Sequence, residues 1–138
     1  MYKRQDIDIK VLITNKDDAG CITRAKSKKI PHKIIRGNDF SQKELFELEI
    51  VNTLVKYDVE LIVMAGWMKI VTPFFINKFK NKIINIHPSL LPSYKGSSAI
   101  KDSILNGSKI TGCSVHFVDE EVDSGLSLIH ISEPTRPS

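Results

Sequence analysis

Short apolar runs recur along the chain, each separated from the next by a stretch with helical spacing. This alternation restricts the fold more than any other feature. Residues 7–14 (IDIKVLIT) are rich in β-branched side chains and run into Asn15, Lys16, Asp17 and Asp18, a turn and helix-start signal. A short helix is predicted over 19–28 and a strand over 32–35, after Pro31. Ser41 and Glu44 have capping-box spacing and predict a helix that ends near Tyr57. Leu45, Leu48, Val51 and Val55 then fall on one helical face, with Phe46, Ile50 and Leu54 beside it. Residues 60–65 (ELIVMA) are continuously apolar, as expected of a strand covered on both faces, and Gly66 breaks them. Pro73 suits the first turn of a helix running to residue 79. A strand over 82–86, a helix over 97–106 stopped by Gly107, and an alternating strand over 111–118 (TGCSVHFV) complete the order. Strand and helix alternate throughout, which predicts an α/β fold: a mainly parallel sheet flanked by helices.

A chain of 138 residues can form one domain with a core. No run approaches the ~20 apolar residues of a membrane span, and the first ten residues hold no signal-like apolar stretch. No membrane partner is expected. The net charge of +4 comes from basic residues interleaved with acids, so no nucleic-acid partner is expected either. Cys21 and Cys113 lack CxxC spacing, which points to a reducing, cytoplasmic setting and to no metal site.

In open α/β sheets, ligands sit at the carboxyl ends of strands. Three such ends carry unusual chemistry: Gly66 to Lys69, Asn85 to Pro88, and the acids Asp119, Glu120, Glu121 and Asp123. Asn85 and His87 are two apart on an extended backbone and point to the same side. An amide donor and an imidazole together can hold and protonate the oxyanion of a tetrahedral intermediate. An Asn-x-His pair can equally be a hydrogen-bonded turn. A carboxylate such as Asp123 would orient the imidazole and stabilise its cation. The pattern does not choose among the four acids. His116, mid-strand, reads as a packed, hydrogen-bonded residue, and His32 as the start of a strand.

The stretch NIHPSLLP, residues 85–92, resembles the signature of the folate-dependent formyltransferases. LIVMAGWMKIVTP and SVHFVDEEVDSG agree with it and are similar to the branch acting on glycinamide ribonucleotide (GAR), an enzyme of de novo purine synthesis. The resemblance runs over residues 6–125. It implies a Rossmann-like fold and transfer of the formyl group of 10-formyltetrahydrofolate, a co-substrate, to the amine of GAR, with no metal. It further implies that Asn85 stabilises the oxyanion, that His87 is the general acid, and that Asp123 holds His87 cationic and positions a water. Gly66, Met68, Lys69, Ile70 and Val71 match the folate-binding loop, Lys43 a position where the family often has a folate-contacting Arg, and Pro88 the residue beside the acid. The family often has Phe and Arg where this chain has Trp67 and Lys69. The Leu91–Pro92 bond matches one that is cis. Methionyl-tRNA formyltransferase and formyltetrahydrofolate deformylase share the Asn-x-His pair. The first would need an RNA-binding domain, and the second usually has a second His in place of Pro88. A non-catalytic folate- or nucleotide-binding module is the reading from a different class.

The two ends differ in character. Helical or strand periodicity stops in residues 126–138 (LSLIHISEPTRPS), which with 1–5 (MYKRQ) resemble translated sequencing adaptors, so both are left out of the fold reading and 6–125 is taken as a partial catalytic domain. A Gly-rich phosphate-binding loop before Asp6 is not seen, from which weak GAR binding and an inactive fragment are expected. Oligomeric state is left open.

Overall fold

The length of a ladder is set by its shorter strand, and this governs the first part of the chain. The structure, a computed structural model, describes residues 7–120 and 127–134. The chain divides into two units, Met1–Val59 and Glu60–Ser138. In the first, β1 (Leu12–Thr14) pairs in parallel with β2 (His32–Ile34), Leu12 opposite His32 and Thr14 opposite Ile34. The strand expected over 7–14 is therefore confined to its last three residues, and Ile7 and Ile9 remain exposed. Helix α1 (Gly20–Ser27) connects the two strands and buries Ile22 and Ala25. It is closed by Lys29 in the left-handed region, φ +56°.

Helix α2 (Lys43–Lys56) corrects two expectations. Its N-cap is Gln42, whose side chain makes no capping bond. Ser41 lies one residue too early for a capping box, because only an N-cap hydroxyl reaches the amides of the first turn. The buried face is Phe46, Ile50 and Leu54 with Glu47, Val51 and Thr53, whereas Leu45, Leu48 and Val55 are exposed. Both stripes have helical spacing, so period alone could not choose between them. On the buried face Phe46 meets Phe40 edge-on at 5.8 Å. Lys33 on β2 ties to Glu49 on α2 and to Thr53 Oγ1 at 3.1 Å. Arg36 grips Asp17 through both Nε, at 2.8 Å, and Nη2. That guanidinium holds the Asp17 carboxyl below the ordinary aspartate range, chiefly through its hydrogen bonds.

In the second unit the strands follow the order β3-β4-β5-β6. Strands β3 (Ile62–Ala65) and β4 (Ile83–His87) are parallel, Met64 opposite Asn85. Strand β5 (Ile110–Phe117) joins β4 antiparallel, and β6 (Ser127–Pro134) joins β5 antiparallel. The α/β class with parallel pairs and flanking helices stands. The direction of β5 was not readable from the alternation of elements, which is blind to which way a strand enters. β3 is an edge strand with alternating burial, Leu61 and Val63 being exposed, so the expectation that 60–65 is covered on both faces is corrected. The tail was left out of the fold reading, and residues 127–134 within it form β6. Its ladder bonds to β5 are made by the backbone.

Local signals place the helices well. Pro73 opens α3 (Pro73–Lys78), which buries Phe75 and Ile76, the Phe75 ring lying 5.3 Å from that of Phe79. Helix α4 (Ala99–Leu105) ends in a Schellman pattern: Gly107, φ +64°, donates to Ile104 O and Ser108 N to Ser103 O, each at 3.0 Å. Gly66, φ +69°, ends β3 by a turn that a side chain would strain.

Candidate active site

Register, rather than spacing along one strand, assembles the site. In the antiparallel β4/β5 pair, Asn85 lies opposite His116 and His87 opposite Ser114. Directly opposed residues share a face of the sheet, so these four side chains form one cross-strand patch at the carboxyl end of β4. The expectation that Asn85 and His87 point the same way is met by this geometry.

Both histidines are deeply buried, His87 at 4% exposure and His116 at 2%, so their hydrogen bonds determine their chemistry. His116 Nδ1 is 2.8 Å from the Phe117 carbonyl. A carbonyl can only accept, so this nitrogen carries the proton and, in the neutral ring, Nε2 is left with a lone pair. Asn85 Nδ2 lies 3.4 Å from that Nε2 and donates to it. The contact assigns the amide nitrogen to the His116 side and leaves Asn85 a second N–H for a ligand. His116 was read as a packed, hydrogen-bonded residue, and it is one. Its contact with Asn85 brings it beside the candidate site, and that contact depends on β5 running antiparallel to β4.

His87 Nε2 lies 2.8 Å from the Tyr94 carbonyl, so it too is a protonated donor, and Nδ1 is the nitrogen that can exchange a proton. Tyr94 stands in the left-handed region, φ +53°, after the Leu91–Pro92 bond, which is cis as the resemblance implied. Three residues that the sequence did not single out hold this loop: Ser89, Ser114 and Tyr94. They carried no pattern of their own, being ordinary residues in a proline-containing loop and a strand.

The other expected residues fall as follows. Pro88 is exposed, directly after His87. Gly66, Met68, Lys69 and Ile70 form an exposed loop after β3, with Val71 half-buried, and β3 neighbours β4. Lys43, exposed, is the first residue of α2 in the first unit. Asp123 lies outside the described residues. Asp119 and Glu120 are exposed, Glu120 at 3.5 Å from Asn77 Nδ2. Among the described residues no cluster of three or more His, Cys, Asp or Glu could hold a metal ion, and no helix is long and apolar enough to cross a membrane. Cys21 and Cys113 are free, half-buried thiols.

Comparison with known proteins bears on the family of the chain and on its fold. The profile of the family described as formyl transferase matches residues 1–134. Phosphoribosylglycinamide formyltransferase of Haemophilus influenzae is 42% identical over 134 residues, covering 96% of this chain and 63% of that protein. The trifunctional purine biosynthetic protein adenosine-3 of Chironomus tentans is 44% identical over 122 residues, 88% of this chain but 9% of that protein. The chain thus spans less than two thirds of the length of these curated relatives. The crystal structure of phosphoribosylglycinamide formyltransferase from Bacillus halodurans superposes with a TM-score of 0.90 at 33% identity, over 95% of this chain and 68% of that one.

Proposed function

The chain belongs to the formyl transferase family, and on that premise we propose that it carries the transfer centre of a GAR formyltransferase. The formyl group passes from 10-formyltetrahydrofolate to the amine of GAR, a step of purine synthesis in the cytoplasm. The amine nitrogen attacks the formyl carbon and the carbonyl oxygen becomes an oxyanion. The second N–H of Asn85 donates to that oxygen, and a preorganised donor in a buried site acts without reorganising at the moment of reaction. The attacking amine loses a proton to His87 Nδ1, and Asp123 stabilises the imidazolium that forms. Collapse of the intermediate then breaks the bond from carbon to the folate N10, which takes that proton from His87 Nδ1. Gly66, Met68, Lys69, Ile70 and Val71 would hold the folate, with Pro88 beside the acid.

One observation carries this reading: the register that sets Asn85 opposite His116 and His87 opposite Ser114 on one face. The names of the relatives favour GAR over methionyl-tRNA as acceptor. The test is a graft in which residues 6–125 replace the matching segment of the Haemophilus relative. The graft is expected to form formyl-GAR and tetrahydrofolate in equal amounts, and His87→Ala to abolish both. Release of free formate without formyl-GAR would assign the centre to deformylation and overturn the proposal.

A further inference from the structure

Among the least exposed side chains of the described residues are two serines, Ser89 at 1% and Ser114 at 0%. Buried hydroxyls cost stability unless satisfied, and both of these are spent on the loop that carries the His87 contact. Ser114, on β5, donates to the Ser89 carbonyl at 2.7 Å and accepts from Leu91 N–H at 3.0 Å, so one hydroxyl pins the loop on either side of Leu90. Ser89 turns its own hydroxyl toward the far end of the loop. It donates to the Ser93 carbonyl at 2.5 Å, and the Tyr94 carbonyl lies 3.3 Å from the same oxygen. The Tyr94 carbonyl is the group that receives His87 Nε2–H. Outside this ring the Tyr94 hydroxyl is anchored to Ser108 Oγ at 2.7 Å, just past α4. The chain of contacts closes on itself, because Ser114 is the ladder partner of His87.

We propose that Ser89 is a positioning residue for formyl transfer: backed by Ser114, it fixes the Tyr94 carbonyl and thereby locks the His87 imidazole in the tautomer with the proton on Nε2. A neutral imidazole can protonate at either nitrogen, and the hydrogen bond made by one ring nitrogen decides which atom the other offers. With Nε2–H committed to a fixed carbonyl, Nδ1 cycles between acceptor and donor while the ring stays in place. Should the carbonyl drift, the second tautomer becomes populated and the proton sits on the wrong nitrogen for part of the time. Ser89 touches no reacting atom. Its effect passes through His87, so this inference rests on the proposed role of His87.

The experiment reads the tautomer directly, by long-range nitrogen–proton NMR of the 138-residue chain labelled with nitrogen-15 histidine, and is repeated in the graft. The unsubstituted chain and Ser103→Ala, which removes a buried hydroxyl on α4, are expected to show His87 as a single Nε2–H form. Ser89→Ala is expected to show both tautomers, and Ser89→Thr, which keeps the hydroxyl, to restore the single form. Ser114→Ala is expected to match Ser89→Ala. If it loses its dispersed spectrum, the Ser89 pair decides alone. In the graft, Ser89→Ala is expected to lower kcat at least tenfold with KM for the formyl donor within twofold. A single Nε2–H tautomer surviving in Ser89→Ala would overturn the inference, as would a mixture in the unsubstituted chain. Absent formyl transfer with the tautomer pattern as expected would instead remove the functional reading and leave the lock standing.

Discussion

Replacing Asn85 by alanine and by aspartate separates an oxyanion donor from a merely structural amide. Asn85 Nδ2 has two N–H groups, and one is spent on His116 Nε2 at 3.4 Å, a long and weak bond. The other is the donor assigned to the developing oxyanion. Alanine removes it, and loss of one such donor costs ~3 kcal/mol, about two orders of magnitude in rate. Aspartate removes it as well and adds an anion where the oxyanion grows. Two unit negative charges about 4 Å apart repel by ~4 kcal/mol at an effective dielectric constant near 20. Part of this is relieved if His116 takes up a proton beside the carboxylate. Even after that relief, Asn85→Asp is expected to fall at least about tenfold below Asn85→Ala. The assay is formyl transfer by the graft at saturating donor and GAR, with a thermal melt of each variant to confirm folding. An effect on the transition state lowers kcat and kcat/KM together. The reasoning fails if Asn85→Ala keeps a fifth or more of the rate, or if the aspartate variant is as fast as the alanine one.

Two further outcomes test the framework around the site. Gly66→Ala meets no atom within 4 Å of an added Cβ, so its cost comes from φ +69° alone. It is expected to be ~1–2 kcal/mol in chemical denaturation, with Gly66→Asn costing less, and equal stability of glycine and alanine would contradict the turn. The Asp17 carboxyl is expected to titrate below an ordinary aspartate by NMR, because Arg36 hydrogen-bonds its anion, and Arg36→Gln should return it to the ordinary range. A carboxyl lowered by folding adds stability above its unfolded pKa and loses it as pH falls through the folded value, so the Arg36→Gln difference should vanish in acid.

Much of this was readable in the residues, for local reasons. Pro73 and Gly107 mark a helix start and a helix stop through backbone geometry, and both helices obey them. Asn85 and His87 share a side because a strand has a period of two. What stayed hidden depends on partners distant in sequence. The burial of Phe46, Ile50 and Leu54, where Leu45, Leu48 and Val55 are exposed, depends on what packs against α2, which periodicity does not encode. The direction of β5 sets His116 against Asn85 and Ser114 against His87, and nothing within 111–118 encodes it. The alternating pattern there is the same for either direction. Ser89 and Ser114 were invisible for the same reason, since a serine becomes a positioning group only when fold and loop bring its hydroxyl to a particular carbonyl.

A crystal structure of the protein with an unreactive formyl-folate analogue would be the most direct measurement. The formyl oxygen is expected within about 3.2 Å of Asn85 Nδ2, with His87 Nδ1 facing the folate N10. A formyl group bound on the opposite face of the sheet, out of reach of both side chains, would contradict the account.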